Sequence, residues 1–128
     1  MKSSIILDIP EAQNITLDLD DAKSPDTVRA ILANLPIRTK LNIWGEEIYT
    51  DPIPAKADEE NAVSVVSLLD VAYWPPGQAL CLFYGPTPMS SDQIRPYSPV
   101  NIIGRIQNPD KQILEKLWNG IRATVRAA

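Results

Sequence analysis

Apolar and polar residues alternate with a period of two along much of this chain. Ile5, Leu7 and Ile9 alternate up to Pro10, and Ile15, Leu17 and Leu19 interleave with Asn14, Thr16, Asp18 and Asp20. Such alternation turns one face to a core and the other to water, so both segments are predicted as strands joined by a turn over Pro10 to Gln13. Ser24-Pro25 then has the form of a helix start, with serine as N-cap and proline at the first helical position. Val28, Ile31, Leu32 and Leu35 follow at helical spacing and make one apolar stripe, which Pro36 ends.

Thr39, Leu41 and Ile43 alternate with Arg38, Lys40 and Asn42, predicting a strand up to Trp44. Gly45 breaks it, and Glu46 to Thr50 forms a second short strand. Asp51 to Asn61 reads as a loop with an acidic patch at Asp58-Glu59-Glu60. Valine-rich Ala62 to Leu69 is expected to be a strand, and Val71-Ala72-Tyr73 runs extended into the turn Trp74-Pro75-Pro76-Gly77. Ala79 to Tyr84 is an unbroken apolar run of the length of a buried strand. Gly85 to Pro99 holds four prolines and three serines, which makes it a long surface loop of the kind that often binds ligands. Val100 to Ile106 is a further strand, with Gly104 at a bulge or close approach. A second helix is expected from Pro109, capped by Asn108, with Ile113, Leu114, Leu117 and Trp118 on its core face and Gly120 as its stop. Ile121, Ala123, Val125 and Ala127 close the chain as a strand. A terminal strand with alternation this clean needs a neighbour on each side, which favours a closed barrel.

Composition narrows the chemistry. The 128 residues suit a single domain, spanning 1–128, with an ordinary 45% of apolar and 22% of charged residues. There is no histidine, which removes Ser-His-Asp and Cys-His catalysis and imidazole metal sites. The lone Cys81 forms no internal disulfide or thiolate cage, and its apolar neighbours mark it as a buried small hydrophobe. A formal charge of -4 opposes a nucleic-acid surface. The first residues lack the apolar stretch of about 7–15 residues that a secretory signal needs, and no window approaches the roughly 18 apolar residues of a membrane span, so a cytoplasmic location is expected. Asp18, Asp20 and Asp21 lack the pattern of a calcium loop and read as solvated charge. No metal and no cofactor are expected.

Four stretches carry a resemblance. They are Trp44-Gly45-Glu46-Glu47-Ile48-Tyr49, the run from Val71 through Tyr73-Trp74-Pro75-Pro76-Gly77 and Ala79-Leu80-Cys81 to Gly85, Thr87-Pro88-Met89-Ser90, and Val100-Asn101-Ile102-Ile103-Gly104. Together with the element order, from about Ile5 to Val125, they resemble the atypical cyclophilin-like family of bacteria and archaea, single-domain proteins of unassigned function. The resemblance implies a mainly β fold: a closed, eight-stranded antiparallel barrel capped by a helix at each end. Ordinary cyclophilins are peptidyl-prolyl isomerases that use an arginine in a Phe-His-Arg setting. The matching stretch here is Trp44-Gly45-Glu46, so the resemblance does not carry that arginine over.

The functional expectation is a binding module that takes a peptide or small molecule in an apolar groove on the barrel wall. Its candidate residues are Trp44, Glu46, Glu47, Tyr73, Trp74, Phe83, Tyr84, Met89 and Arg95. The aromatic residues and methionine suit adaptable apolar contact, although a core would use the same types. Glu46 and Glu47 are adjacent in a strand and point to opposite faces, so they do not form a two-carboxylate dyad; one of them is placed at the groove. Arg95, in the long loop, is within reach of a groove, whereas the strand cations alternate outward. The alternative is an isomerase with a non-standard donor. It would have to offset part of the 18–20 kcal/mol or so that opposes amide rotation. A third reading makes the apolar wall a protein–protein interface.

Overall fold

The computed structural model describes residues 1–107 and 110–128. The elements run β1 (Lys2–Asp8), β2 (Ile15–Asp20), α1 (Pro25–Ala33), β3 (Ile37–Trp44), β4 (Glu47–Thr50), β5 (Asp70–Trp74), β6 (Ala79–Phe83), β7 (Asn101–Ile106), α2 (Lys111–Glu115) and β8 (Ile121–Ala127), with a 3₁₀ turn at Pro75–Gly77. The strands form a closed barrel in the order β1-β2-β7-β5-β6-β4-β3-β8, and every pairing is antiparallel. The terminal strand β8 lies between β1 and β3, which gives both of its edges a partner.

Alternation sorts the side chains. Ile5 and Leu7, Leu17 and Leu19, Leu41, Ile48, Val71 and Tyr73, Leu80 and Leu82, Ile103, and Ile121, Ala123 and Val125 share one buried interior cluster. The tube is therefore filled with side chains and has no lumen. Val28 and Ile31 of α1 join this cluster at the end where β7 begins. Leu114 and Leu117 join it at the end where β7 stops. Gly104 sits where β7 meets β2; a Cβ there would lie 2.0 Å from the Asp18 carbonyl oxygen, so the close approach requires glycine.

Three expectations are corrected. The strand over Ala62 to Leu69 is absent. Val63 and Val66 make only isolated bridges to Val100 and Ile94, because the barrel closes without this segment and it crosses the outside of the wall. Trp118 is half exposed, at 50%, because the α2 helix ends at Glu115 and the chain turns before Trp118 would reach the core face. Ser24 occupies the N-cap position of α1, but its hydroxyl donates to the Glu60 carbonyl oxygen and does not cap. The start of α2 expected at Asn108 and Pro109 lies outside the described residues; Asp110 caps that helix by accepting the Gln112 N–H.

The cap of α1 comes from a distant residue. The Glu60 carboxylate accepts the backbone N–H groups of Asp26 and Thr27, each at 3.0 Å, and the Thr27 hydroxyl at 2.8 Å. The buried Asn101 completes the cluster. Its oxygen accepts the Glu60 N–H at 2.8 Å, and its amide donates to Thr27 Oγ1 and the Asp58 carbonyl. Thus one carboxylate satisfies open N–H groups at a helix start and pins the 51–69 segment across the barrel end. Burial alone would raise the Glu60 carboxyl, but the two N–H groups, the Thr27 hydroxyl and Arg29 outweigh it and hold the carboxyl below its ordinary value. A group depressed in the folded state stabilises above its unfolded pKa and loses that contribution as pH falls through the folded one. Glu60→Gln is expected to lower stability by about 1 kcal/mol at pH 7. The deficit should shrink in acid, as followed by urea unfolding at a series of pH values. Equal deficits at pH 7 and in acid would contradict this role.

Candidate functional site

The outer wall of the barrel has two unlike halves. On β8, β1, β2 and β3, outward positions such as Asp18, Arg38, Lys40 and Arg122 are exposed. On β7, β5, β6 and β4, outward positions join the adjoining Val100 in a second apolar cluster: Ala72, Ala79, Cys81, Phe83 and Val100, with Tyr49, Trp74 and Ile102 packed against it. Strand β6 is consequently buried on both faces, as its unbroken apolar run predicts.

Register places the members. Trp44 pairs with Glu47 and Glu47 with Phe83; Tyr49 pairs with Cys81 and Cys81 with Ala72; Trp74 pairs with Ala79. Small residues thus occupy the middle of this surface and indoles its margins, which leaves a depression. The loop after β6 supplies the remaining wall. Thr87 and Ser90 tie it internally: Ser90 Oγ accepts the N–H groups of Thr87 at 2.9 Å and Arg95 at 3.1 Å. The Trp74 indole N–H donates to Ser98 Oγ at 2.6 Å and anchors the far end. The resulting cavity, about 220 Å³, is lined by Trp44, Glu47, Tyr49, Trp74, Cys81, Pro96, Tyr97 and Val100. Tyr97 stands edge-on to both indoles, with ring centroids 6.1 Å from Trp44 at 70° and 6.0 Å from Trp74 at 83°.

Glu47 lies at the floor and is only 6% exposed. Burial pushes its carboxyl up to about 7, and a hydrogen bond from the Cys81 thiol draws it down only in part. The thiol also has the Ala79 carbonyl oxygen within reach, at 3.8 Å. Burial, together with the adjacent carboxylate, pushes the thiol well above its ordinary value, which suppresses the nucleophilic thiolate.

The sequence-derived candidates separate into two sets. Trp44, Glu47 and Trp74 meet at the cavity. Phe83 lies fully buried in the layer beneath. The placement of Tyr73 and Tyr84 on a groove is corrected: both belong to the interior cluster, and the Tyr73 hydroxyl donates to the Ala55 carbonyl oxygen at 2.8 Å. Glu46 turns away from Glu47 and pairs with Lys111 at 3.3 Å. Met89 is exposed on the loop, and the Arg95 guanidinium donates to Gln93 Oε1 at 3.0 Å; neither lines the cavity. Tyr49, Cys81, Pro96, Tyr97 and Val100 were not among the candidates. The available signal for Tyr97 was an aromatic residue held between Pro96 and Pro99 in a long loop. Among the described residues no group of three or more potential metal ligands comes together, and no helix is long and apolar enough to cross a membrane.

The sequence model described as cyclophilin-like matches residues 3–126. The chain belongs to the cyclophilin-like family. A hypothetical protein from Archaeoglobus fulgidus, known from its solution structure, is 41% identical with a TM-score of 0.84, over 99% of this chain and 95% of that one. McbB, solved in complex with tryptophan, has a TM-score of 0.74 at 18% identity, over 96% of this chain and 44% of its own. That second likeness is one of fold. No curated protein matches the chain. Within this cyclophilin-like barrel, the stretch Trp44 to Tyr49 brings a buried carboxylate to the outer wall.

A carboxyl raised from 4.5 to about 7 makes the folded state the tighter proton binder. Stability then falls as pH rises through that interval and levels off above it, by about 3 kcal/mol from the size of the shift. In Glu47→Gln this loss should vanish, so that wild type and variant diverge between pH 4 and pH 8. Carboxyl-carbon NMR should place the Glu47 midpoint near neutrality, and parallel stability curves with an ordinary midpoint would contradict the assignment.

Proposed function

We propose that this cyclophilin-like protein is a binding module that holds a small molecule, or one side chain of a peptide, in the cavity between Trp44, Trp74 and Tyr97. The observation that carries the reading is an apolar cavity with a buried polar group at its floor, the combination typical of ligand sites. The depression on the other half of the wall is larger, about 500 Å³, but it is shallow and open, and Arg38, Lys40 and Arg122 around it are exposed. A same-fold protein holding tryptophan is compatible with the reading but does not transfer its ligand at 18% identity.

Prolyl isomerase chemistry is the weaker reading. Rotation of the amide is helped by a donor aimed at the nitrogen as its lone pair returns. The cavity lining holds no arginine or lysine, and the Trp74 N–H is already given to Ser98, which leaves only neutral donors there: the Trp44 indole N–H and the Tyr49 and Tyr97 hydroxyls. In chemical-shift mapping with ring-sized fragments, the resonances that move should be those of Trp44, Tyr49, Trp74, Tyr97 and Val100. A protease-coupled assay on a proline tetrapeptide should run at the uncatalysed rate. Shifts confined to Arg38, Lys40 and Arg122, or isomerisation abolished by Trp44→Ala, would overturn the proposal.

A further inference from the structure

We infer that the cavity selects an organic cation, with an ammonium group set against Glu47 and its apolar body held among Trp44, Trp74 and Tyr97. The inference rests on the binding reading above and adds the charge and class of the ligand.

Four observations lead there. First, the Glu47 carboxylate is buried and meets only the Cys81 thiol as a donor; no backbone N–H and no basic side chain among the described residues reaches it. A buried carboxylate without a counter-charge is expensive, and a ligand ammonium supplies the missing partner. Second, the nearby cations are committed elsewhere: Lys111 pairs with Glu46, and Arg95 donates to Gln93. Once Glu47 is ionised, as at pH 8, the floor therefore carries a negative charge with no cation beside it, which an anionic ligand would meet as repulsion. Third, three aromatic residues line the space, and Tyr97 is inclined to the two indoles at 70° and 83° and so is not stacked on either. An aromatic face turned to a bound ammonium adds a cation–π attraction to that of the carboxylate. Fourth, a volume of about 220 Å³ suits an amine bearing one ring or a short aliphatic body, and excludes a folded peptide segment.

The test is a matched pair, 2-phenylethylamine and 2-phenylethanol, titrated at pH 8 into the full chain while the three tryptophan indole N–H resonances are followed. Trp118, half exposed and outside the cavity lining, is an internal control. The amine should move the Trp44 and Trp74 signals with a Kd about tenfold below that of the alcohol. Glu47→Gln should erase that difference while the alcohol still binds. Tyr97→Leu changes a residue that is 67% exposed, so the fold does not depend on it, and it should reduce the amine's advantage while keeping an apolar wall. An alcohol that binds as tightly as the amine, or an amine preference that survives both substitutions, overturns the cation assignment and leaves the binding reading standing. If neither compound moves Trp44 or Trp74, the binding reading fails with it.

Discussion

The filling of the barrel interior is the constraint on which the rest of the molecule depends. All eight strands contribute inward side chains, α1 and α2 seal the two ends, and Tyr73, fully buried among them, reaches through to the Ala55 carbonyl oxygen. A closed sheet has no free edge to extend, and a filled one has no channel to enter. Apolar space open to a ligand is thereby confined to the outside of the wall. The outside offers such space only where its strands present apolar residues and something covers them.

That condition is met on one half. The segments 51–69 and 84–100 cross over β4 to β7, each held by polar groups of its own: Glu60 and Asn101 for the first, Thr87, Ser90 and the Trp74–Ser98 bond for the second. They bury Phe83, Cys81 and Ala72 from outside and leave a gap where small residues line up across the strands. The gap is mostly apolar, and Glu47 is the one carboxylate in its lining. A carboxylate kept there works against folding at neutral pH, and nothing in the packing of the second cluster requires it. Under the binding proposal, this carboxylate at the floor of an open cavity is the group that meets the ligand.

Much of the fold was legible in the sequence because each barrel strand carries its own signal. The two-residue period marks β1, β2, β3 and β8, whose outer faces are in water, and the unbroken run Ala79 to Phe83 marks a strand covered on both sides. The segment Ala62 to Leu69 defeated the same logic. Its valines have strand composition, but Val66 is buried as a cover on the outer cluster and not as a rung of the barrel. The site was half legible. Glu46 lies in the turn after Gly45 and Glu47 opens β4, so that Glu47 faces the cavity only through its cross-strand pairing with Trp44 and Phe83; register likewise sends Tyr73 inward and Trp74 outward, although the sequence offered both as groove residues. Tyr97 and Pro96 come from a loop whose path is set by hydrogen bonds to Ser90 and Ser98, long-range facts that no local spacing encodes.

The central claim is that the accessible apolar space of this protein lies on the outer wall, between the two indoles and Tyr97, and not inside the tube. Xenon is the most direct probe, since it enters apolar space without regard to charge or hydrogen bonding. Under xenon pressure the account predicts NMR shifts at the Trp44 and Trp74 rings and the Val100 methyls, with the interior methyls of Leu80, Leu82 and Ile103 unmoved. Shifts at those interior methyls, with the outer rings silent, would contradict it.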